Sequence, residues 1–169
     1  MKIVFLDSLA LGEGLDLESF GEIGDVEIYP SSTESEIIER VRDCDVAITN
    51  KLKLNASNLS GAKNLKPICV TATGFDNIDS AFAKGHGIGV CNVVGYSTTN
   101  VAQLTAGFVL QLMNRSKEYQ RSVSSGYYSE CGVANILSPI YREIDGLKWG
   151  IVGFGNIGRR VARVAEALG

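Results

Sequence analysis

The sequence predicts an α/β fold: a flavodoxin-like parallel sheet between helices, followed by the opening strand, turn and helix of a second unit. Three observations predict it. Short apolar runs alternate with helix-like segments over the first hundred residues. Several runs are apolar at consecutive positions, as in Ile3-Val4-Phe5-Leu6, so both strand faces must be covered. A glycine-rich turn at residues 153–158 then joins an apolar run to an amphipathic segment.

Strands are expected at residues 2–7, 25–29, 45–49, 67–71 and 87–91. Between two of them, Thr33 with Glu36 three positions later has the pattern of a capping box. Ile37, Ile38 and Val41 follow as an apolar stripe at helical spacing. Alternation of this kind favours right-handed crossovers in one sheet. After Cys91 the chain turns polar, and a long helix is expected, capped by Ser97, Thr98 or Thr99. Val101, Leu104, Thr105, Phe108, Leu112 and Met113 would line one face. Ala102, Ala106, Val109 and Leu110 widen it, so the helix is expected to be buried between layers or at a subunit contact. Residues 122–145 are rich in Ser, Gly and Tyr and too long for a simple connector, which suggests a functional segment or one that packs on a partner. The boundary between domains is placed at residues 99 and 100.

Composition narrows the function classes. The 169 residues are 45% hydrophobic and 21% charged, the balance of a globular protein. A formal net charge of −3 argues against a nucleic-acid partner. No apolar run approaches the roughly 20 residues of a membrane helix, and the N-terminal run lacks the features of a signal peptide. The four cysteines, Cys44, Cys69, Cys91 and Cys131, form no C-x-x-C pair, and His86 is the only histidine. Zinc is not expected. Cys69 and Cys91 sit in strand-like runs, and reduced, buried thiols in a cytoplasmic protein are the expectation.

Gly153, Gly155 and Gly158 satisfy G-x-G-x-x-G. Context strengthens the motif, because the apolar run 149–152 leads in and an amphipathic segment from Arg159 leads out. Each glycine has a physical task in a Rossmann turn: Gly153 for the tight turn, Gly155 for close approach of the backbone to a pyrophosphate, and Gly158 for helix-on-strand packing. Free N–H groups and the helix dipole would hold the phosphates. The alternative is a glycine turn with no ligand. An acid for the ribose is expected about 20 residues on, but eleven residues follow Gly158 and Glu166 lies in the helix. The second unit is therefore expected to be an incomplete Rossmann domain.

Four stretches together resemble the D-isomer-specific 2-hydroxyacid dehydrogenases, which include D-lactate, glycerate, phosphoglycerate and formate dehydrogenases and hydroxypyruvate reductases. They are residues 71–79 (TATGFDNID), 89–98 (GVCNVVGYST), 100–105 (NVAQLT) and 150–158 (GIVGFGNIG). The glycerate dehydrogenase and hydroxypyruvate reductase branch looks nearest. The resemblance implies a two-domain, NAD- or NADP-dependent enzyme that moves hydride between nicotinamide and a 2-hydroxy or 2-oxo acid. It implies substrate contacts from Asn50, Lys51, Thr73, Gly74 and Ser97. It implies cofactor contacts from Thr73, Val101, Gly153, Phe154, Gly155, Asn156, Ile157 and Gly158. The family's catalytic arginine, acid and histidine lie beyond the glycine motif, so no catalytic residue is expected in this chain, and cofactor binding is expected to be weak or absent.

Plainer readings stand beside these. Thr73-Gly74 could be a turn that caps a helix, Lys51 a solvated surface lysine, and Gln103 a domain bridge or a surface amide. His86 matches a structural turn. A homodimer is expected, built by the long helix and the following arm. The second functional hypothesis is a non-catalytic dimeric interaction module, with the Val161, Val164 and Leu168 face left without its sheet. A corepressor-like relative is the third.

Overall fold

A computed structural model describes all residues, Met1–Gly169. The chain divides into two compact units, Met1–Val94 and Gly95–Gly169.

The first unit runs β1 (Lys2–Phe5), 3-10 turns at Ser8–Leu11 and Glu18–Glu22, β2 (Asp25–Ile28), α1 (Glu34–Val41) and β3 (Val46–Thr49). It continues with α2 (Ala56–Leu59), β4 (Pro67–Val70), α3 (Ser80–Gly85) and β5 (Gly89–Asn92). Every strand pair is parallel, in the order β2-β1-β3-β4-β5. This is the flavodoxin-like order that the alternating pattern predicted. The chain first adds β2 on one side of β1 and then returns to add β3 on the other. The gap between β1 and β3 is therefore the topological switch point, and crevices at the carboxyl ends of such strands are where open α/β sheets take ligands.

The consecutive apolar residues of β1 serve two cores. Val4 and Leu6 join Ala47, Ile68, Leu54 and Ile37 beneath the helices. Ile3 and Phe5 face the opposite way and pack with Ile48, Leu11, Leu17 and Phe20. Phe5 and Phe20 meet edge-on with ring centroids 5.2 Å apart. Burying each such side chain stabilises the fold by about 1.5–3 kcal/mol. Helix α1 begins as the capping pattern predicts: Thr33 Oγ1 accepts from the Glu36 N–H, and Glu36 Oε2 accepts from the Thr33 N–H at 2.7 Å. Of its expected stripe, Ile37 and Val41 are buried but Ile38 is exposed. Four positions apart bring Ile37 and Val41 onto one face, whereas one position turns Ile38 about 100° away.

The second unit holds α4 (Thr98–Met113), α5 (Ser116–Ser124), α6 (Tyr127–Glu130) and α7 (Asn156–Ala167). Helix α4 packs on α7. Its buried residues are Ala102 and Ala106, and those of α7 are Val161 and Ala165. Small side chains at the contact allow a close helix approach. Leu104, Phe108 and Leu112 stand 52%, 59% and 77% exposed in this chain, because α4 presents its alanine face to α7; of the two places expected for these side chains, burial between layers within the chain does not hold for them. The Val161, Val164 and Leu168 face has no sheet, as expected for an unfinished unit, and α4 packs on α7, where Val161 is buried.

Residues 149–152 do not form the expected strand, and Val152 is fully exposed. A strand exists only through ladder bonds to a neighbour, and the second unit contains no other strand. In the segment 122–145, α6 forms, and Tyr119 Oη donates to the Pro139 carbonyl. All four thiols are free. Cys44 is buried, Cys69 and Cys131 are half-buried, and Cys91 is exposed, contrary to expectation, because it lies on an edge strand. No helix is long and apolar enough to cross a membrane.

Candidate functional site

The carboxyl ends of the first unit's strands are tied together by side chains. Asp7, just past β1 and 9% exposed, points its carboxylate at the loop after β3. Its Oδ1 accepts from the Asn50 N–H at 2.9 Å, and its Oδ2 accepts from the Lys51 N–H at 2.9 Å. An ionised carboxylate that accepts backbone N–H groups makes the stronger, charge-assisted kind of hydrogen bond. Asn50 and Lys51 thus sit at the switch point in a braced loop, with the Lys51 side chain exposed. Asp7 was absent from the sequence-based site. The available signal was an acid ending an apolar strand, which reads equally well as a strand terminator.

The same loop is joined to the one after β4. Asn77 Nδ2 donates to the Leu52 carbonyl at 2.8 Å. The Leu54 N–H bonds the Asn77 carbonyl, and the Asp79 N–H bonds the Leu54 carbonyl. Asp79 in turn caps α3 by accepting the Phe82 N–H at 2.9 Å. Thr73 and Gly74 occupy the exposed crest of this loop. Thr73 Oγ1 donates to the Val93 carbonyl at 2.9 Å, and Asn92 Nδ2 donates to the Thr73 carbonyl at 2.7 Å. The crest is thereby fixed from the β5 side as well. The Thr73 and Gly74 N–H groups have no acceptor in the chain. Beside Gly74 the nearest atom to an added Cβ would be Asp76 Oδ2 at 3.8 Å, so the crest is open. Two consecutive free amides on a rigid loop suit a small anion such as a carboxylate.

In the second unit, Ser97 is the N-cap of α4, and its side chain makes no capping bond. Val101, one turn on, is partly exposed, and its N–H bonds the Ser97 carbonyl. Gln103 is an exposed side chain of the same helix. The glycine turn leads into α7 with Gly155 as N-cap. Gly153 has φ of +92°, in the region glycine favours. A Cβ on Gly158 would stand 2.1 Å from the Gly153 carbonyl oxygen, so the turn closes only on hydrogen at that position. A Cβ on Gly155 would meet nothing within 4 Å. Arg159 clasps the turn, with Nη2 on Asn156 Oδ1 at 2.6 Å and Nη1 on the Phe154 carbonyl at 3.2 Å. Phe154 and Ile157 are exposed. The amino ends of α4 and α7 share a polar cavity of about 410 Å³ lined by Thr98, Thr99, Asn156, Arg159, Arg160 and Arg163. Aligned N–H groups with three guanidinium groups give this end of the unit a positive potential.

His86 takes no part in either arrangement. It stacks on Phe82 at 4.0 Å between ring centroids, and its Nδ1 pairs with the Phe82 carbonyl at 2.9 Å. It precedes β5, at the amino end of the sheet, whereas Thr73 follows β4 at the carboxyl end.

A family model for the catalytic domain of D-isomer specific 2-hydroxyacid dehydrogenases matches residues 3–154. The chain belongs to that family. A glycerate dehydrogenase of Methylorubrum extorquens is 36% identical over 172 residues, covering 99% of this chain and 53% of the relative. A hydroxypyruvate reductase of Blautia hydrogenotrophica is 30% identical over 173 residues, covering 100% of the chain and 54% of the relative. Among solved structures, D-lactate dehydrogenase from Aquifex aeolicus, complexed with NAD and lactic acid, superposes with a TM-score of 0.80. It is 26% identical, with 98% of this chain and 48% of that one covered. An acyclic imino acid reductase in complex with NADPH and D-Arg superposes with a TM-score of 0.84 at 25% identity, covering 99% and 53%. The chain spans about half the length of the curated relatives it matches.

Membership in the 2-hydroxyacid dehydrogenase family agrees with the five-stranded parallel sheet. The glycine turn of this family member also passes a physical test for a dinucleotide. The contact between Gly158 and Gly153 closes the turn, and the space beside Gly155 leaves its backbone approachable.

Proposed function

We propose that this chain supplies the substrate-carboxylate loop and the pyrophosphate turn of an NAD(P)-dependent oxidoreductase acting on a 2-hydroxy or 2-oxo acid. The observation that carries the reading is the pair of free amides at Thr73 and Gly74, on a crest braced by Asn77, Asn92 and the Thr73 hydroxyl. In this reading the Thr73 and Gly74 amides take the substrate carboxylate. Asn50 and Lys51, held by Asp7, flank it with an amide and a positive charge. Ser97 offers a free hydroxyl to the substrate, and Thr73 and Val101 border the nicotinamide. Gly153, Phe154, Gly155, Asn156, Ile157 and Gly158 form the turn whose N–H groups and helix dipole hold the pyrophosphate. When bound, NAD or NADP supplies the hydride; the residues of this chain bind and orient. A cytoplasmic setting without a nucleic-acid partner belongs to this reading, in line with the formal net charge of −3.

Proton exchange with the substrate oxygen needs a group that this arrangement does not provide. The sole imidazole, His86, stands at the other end of the sheet. The 169-residue chain assayed alone with hydroxypyruvate or glyoxylate and NADH or NADPH is therefore expected to show no turnover. Measurable turnover would refute that division of labour. Binding is tested separately by titrating NADH against the fluorescence of Trp149, the single tryptophan. A weak, saturable change that Gly155→Ala abolishes is expected, and equal response of the variant would count against the pyrophosphate turn.

A second reading, a dimeric interaction module, is favoured by one observation: Leu104, Phe108 and Leu112 form an exposed stripe at four-residue spacing along α4. Such a stripe suits the same stripe of a second copy. Light scattering is expected to give a dimer that Phe108→Glu converts to a monomer. A wild-type monomer at all concentrations would remove this reading and leave the oxidoreductase reading untouched.

A further inference from the structure

Cys69 on β4 and Cys91 on β5 stand directly opposite each other in the parallel ladder. Lateral partners in a sheet project from the same face. Here the row reads Ile28, Phe5, Ile48, Cys69, Cys91 across the five strands. The 3-10 turns cover the β1 and β2 end of this face with Leu11, Leu17 and Phe20. Toward β4 the face borders an apolar cavity of about 590 Å³ that Ile48 and Cys69 help to line. Cys91, on the edge strand, is exposed, and Cys69 beside it is half-buried. Adjacent strands are ~4.8 Å apart, inside the ~4.4–6.8 Å Cα separation that disulfides accept.

The geometry points to Cys69 and Cys91 as a dithiol modification site, which a low-molecular-weight disulfide such as oxidised glutathione converts to an intramolecular cross-strand disulfide. Cys91 reacts first because it is the accessible thiol. Its thiolate attacks one sulfur of the oxidant, a Cys91–glutathione disulfide forms, and one reduced glutathione leaves with the proton. Cys69 then attacks Cys91 Sγ, the Cys69–Cys91 bond forms, and the second reduced glutathione leaves. Two thiols are oxidised, and one oxidant disulfide is reduced to two thiols. Burial, then the neighbouring Cys91, holds the Cys69 thiol above its usual range, so it is not the thiol that reacts first from solution; its place opposite Cys91 in the ladder makes it the resolving thiol. Cys44 does not compete, since burial pushes its thiol up to about 11. Cys131 belongs to the other unit. The cross-link would tie together the strands that lead into Thr73 and Asn92.

The test is incubation of the chain with oxidised glutathione, alkylation of residual thiols, and peptide mapping by mass spectrometry. The expected product has a mass about 2 Da lower than the reduced chain, a linked peptide containing Cys69 and Cys91, and no bound glutathione; dithiothreitol reverses it. Cys69→Ser is expected to trap a stable glutathione adduct on Cys91. A wild-type chain that keeps glutathione on Cys91 with Cys69 still alkylated would overturn the proposal, and so would a chain in which both stay free. Circular dichroism of Cys69→Ser confirms that the trapping is read on folded protein. The same map of wild type decides the proposal should that variant unfold.

Discussion

The Asp7 carboxylate accepts the Lys51 N–H at 2.9 Å across 44 positions of sequence. It also accepts the Asn50 N–H, so one buried side chain sets the loop at the β1–β3 switch point.

Asp7→Ala would leave two N–H groups without their acceptor in a partly buried site. The expected loss of stability is about 1–3 kcal/mol. Asp7→Asn keeps one acceptor oxygen and should lose less. Denaturant midpoints at constant slope measure both, and an unchanged midpoint for Asp7→Ala would show that the loop holds without it.

Gly158→Ala places a Cβ 2.1 Å from the Gly153 carbonyl oxygen, which backbone movement alone can relieve. A loss of about 1–3 kcal/mol is expected from such overpacking. Gly155→Ala meets open space and should change stability by no more than about 0.5 kcal/mol. Thermal melts of the two variants side by side test the contrast. Equal effects would mean that the turn is not as closely packed as described.

Thr33→Ala removes the hydroxyl that accepts the Glu36 N–H at the start of α1. Loss of such a cap costs about 1 kcal/mol. Urea unfolding should show it, and Thr33→Ser should restore most of it. The hydroxyl, rather than the methyl group, makes the bond.

The Lys2–Glu27 pair links the first two strands at 2.8 Å. The Lys2 hydrogen bond, then that of Tyr29, holds the Glu27 carboxyl below its ordinary value. Its contribution is therefore present above the unfolded value, near 4.5, and is lost as pH falls through the lower folded value. Lys2 is raised, chiefly by the hydrogen bond to Glu27. Its contribution is present below 10.5 and is lost as pH rises through the folded value. Both groups are about one-third exposed, so solvent screening limits the pair to about 0.2–1 kcal/mol. Glu27→Gln should flatten both limbs of the stability profile by that amount, and an unchanged acid limb would exclude the pair as its source.

The sequence by itself determined the order of strands and helices in the first unit, the parallel sheet and the α1 cap. Each rests on neighbours within one or two turns: the Thr33–Glu36 spacing, or unbroken runs such as Ile3-Val4-Phe5-Leu6. The glycine spacing likewise marked Gly153, Gly155 and Gly158 as a turn before a helix. Tertiary structure alone decided what depends on distant partners. Asp7 gained its role from amides 43 and 44 positions away. Ala102 and Ala106, rather than Leu104 and Phe108, became the inner face of α4 because α7 packs there. Residues 149–152 stayed out of a sheet because an apolar run becomes a strand only when another strand supplies its hydrogen bonds. Cys69 and Cys91, 22 positions apart, became neighbours only through the β4–β5 register. Local propensity is written in spacing along the chain, but the identity of a partner is set by which surfaces the folded chain brings together.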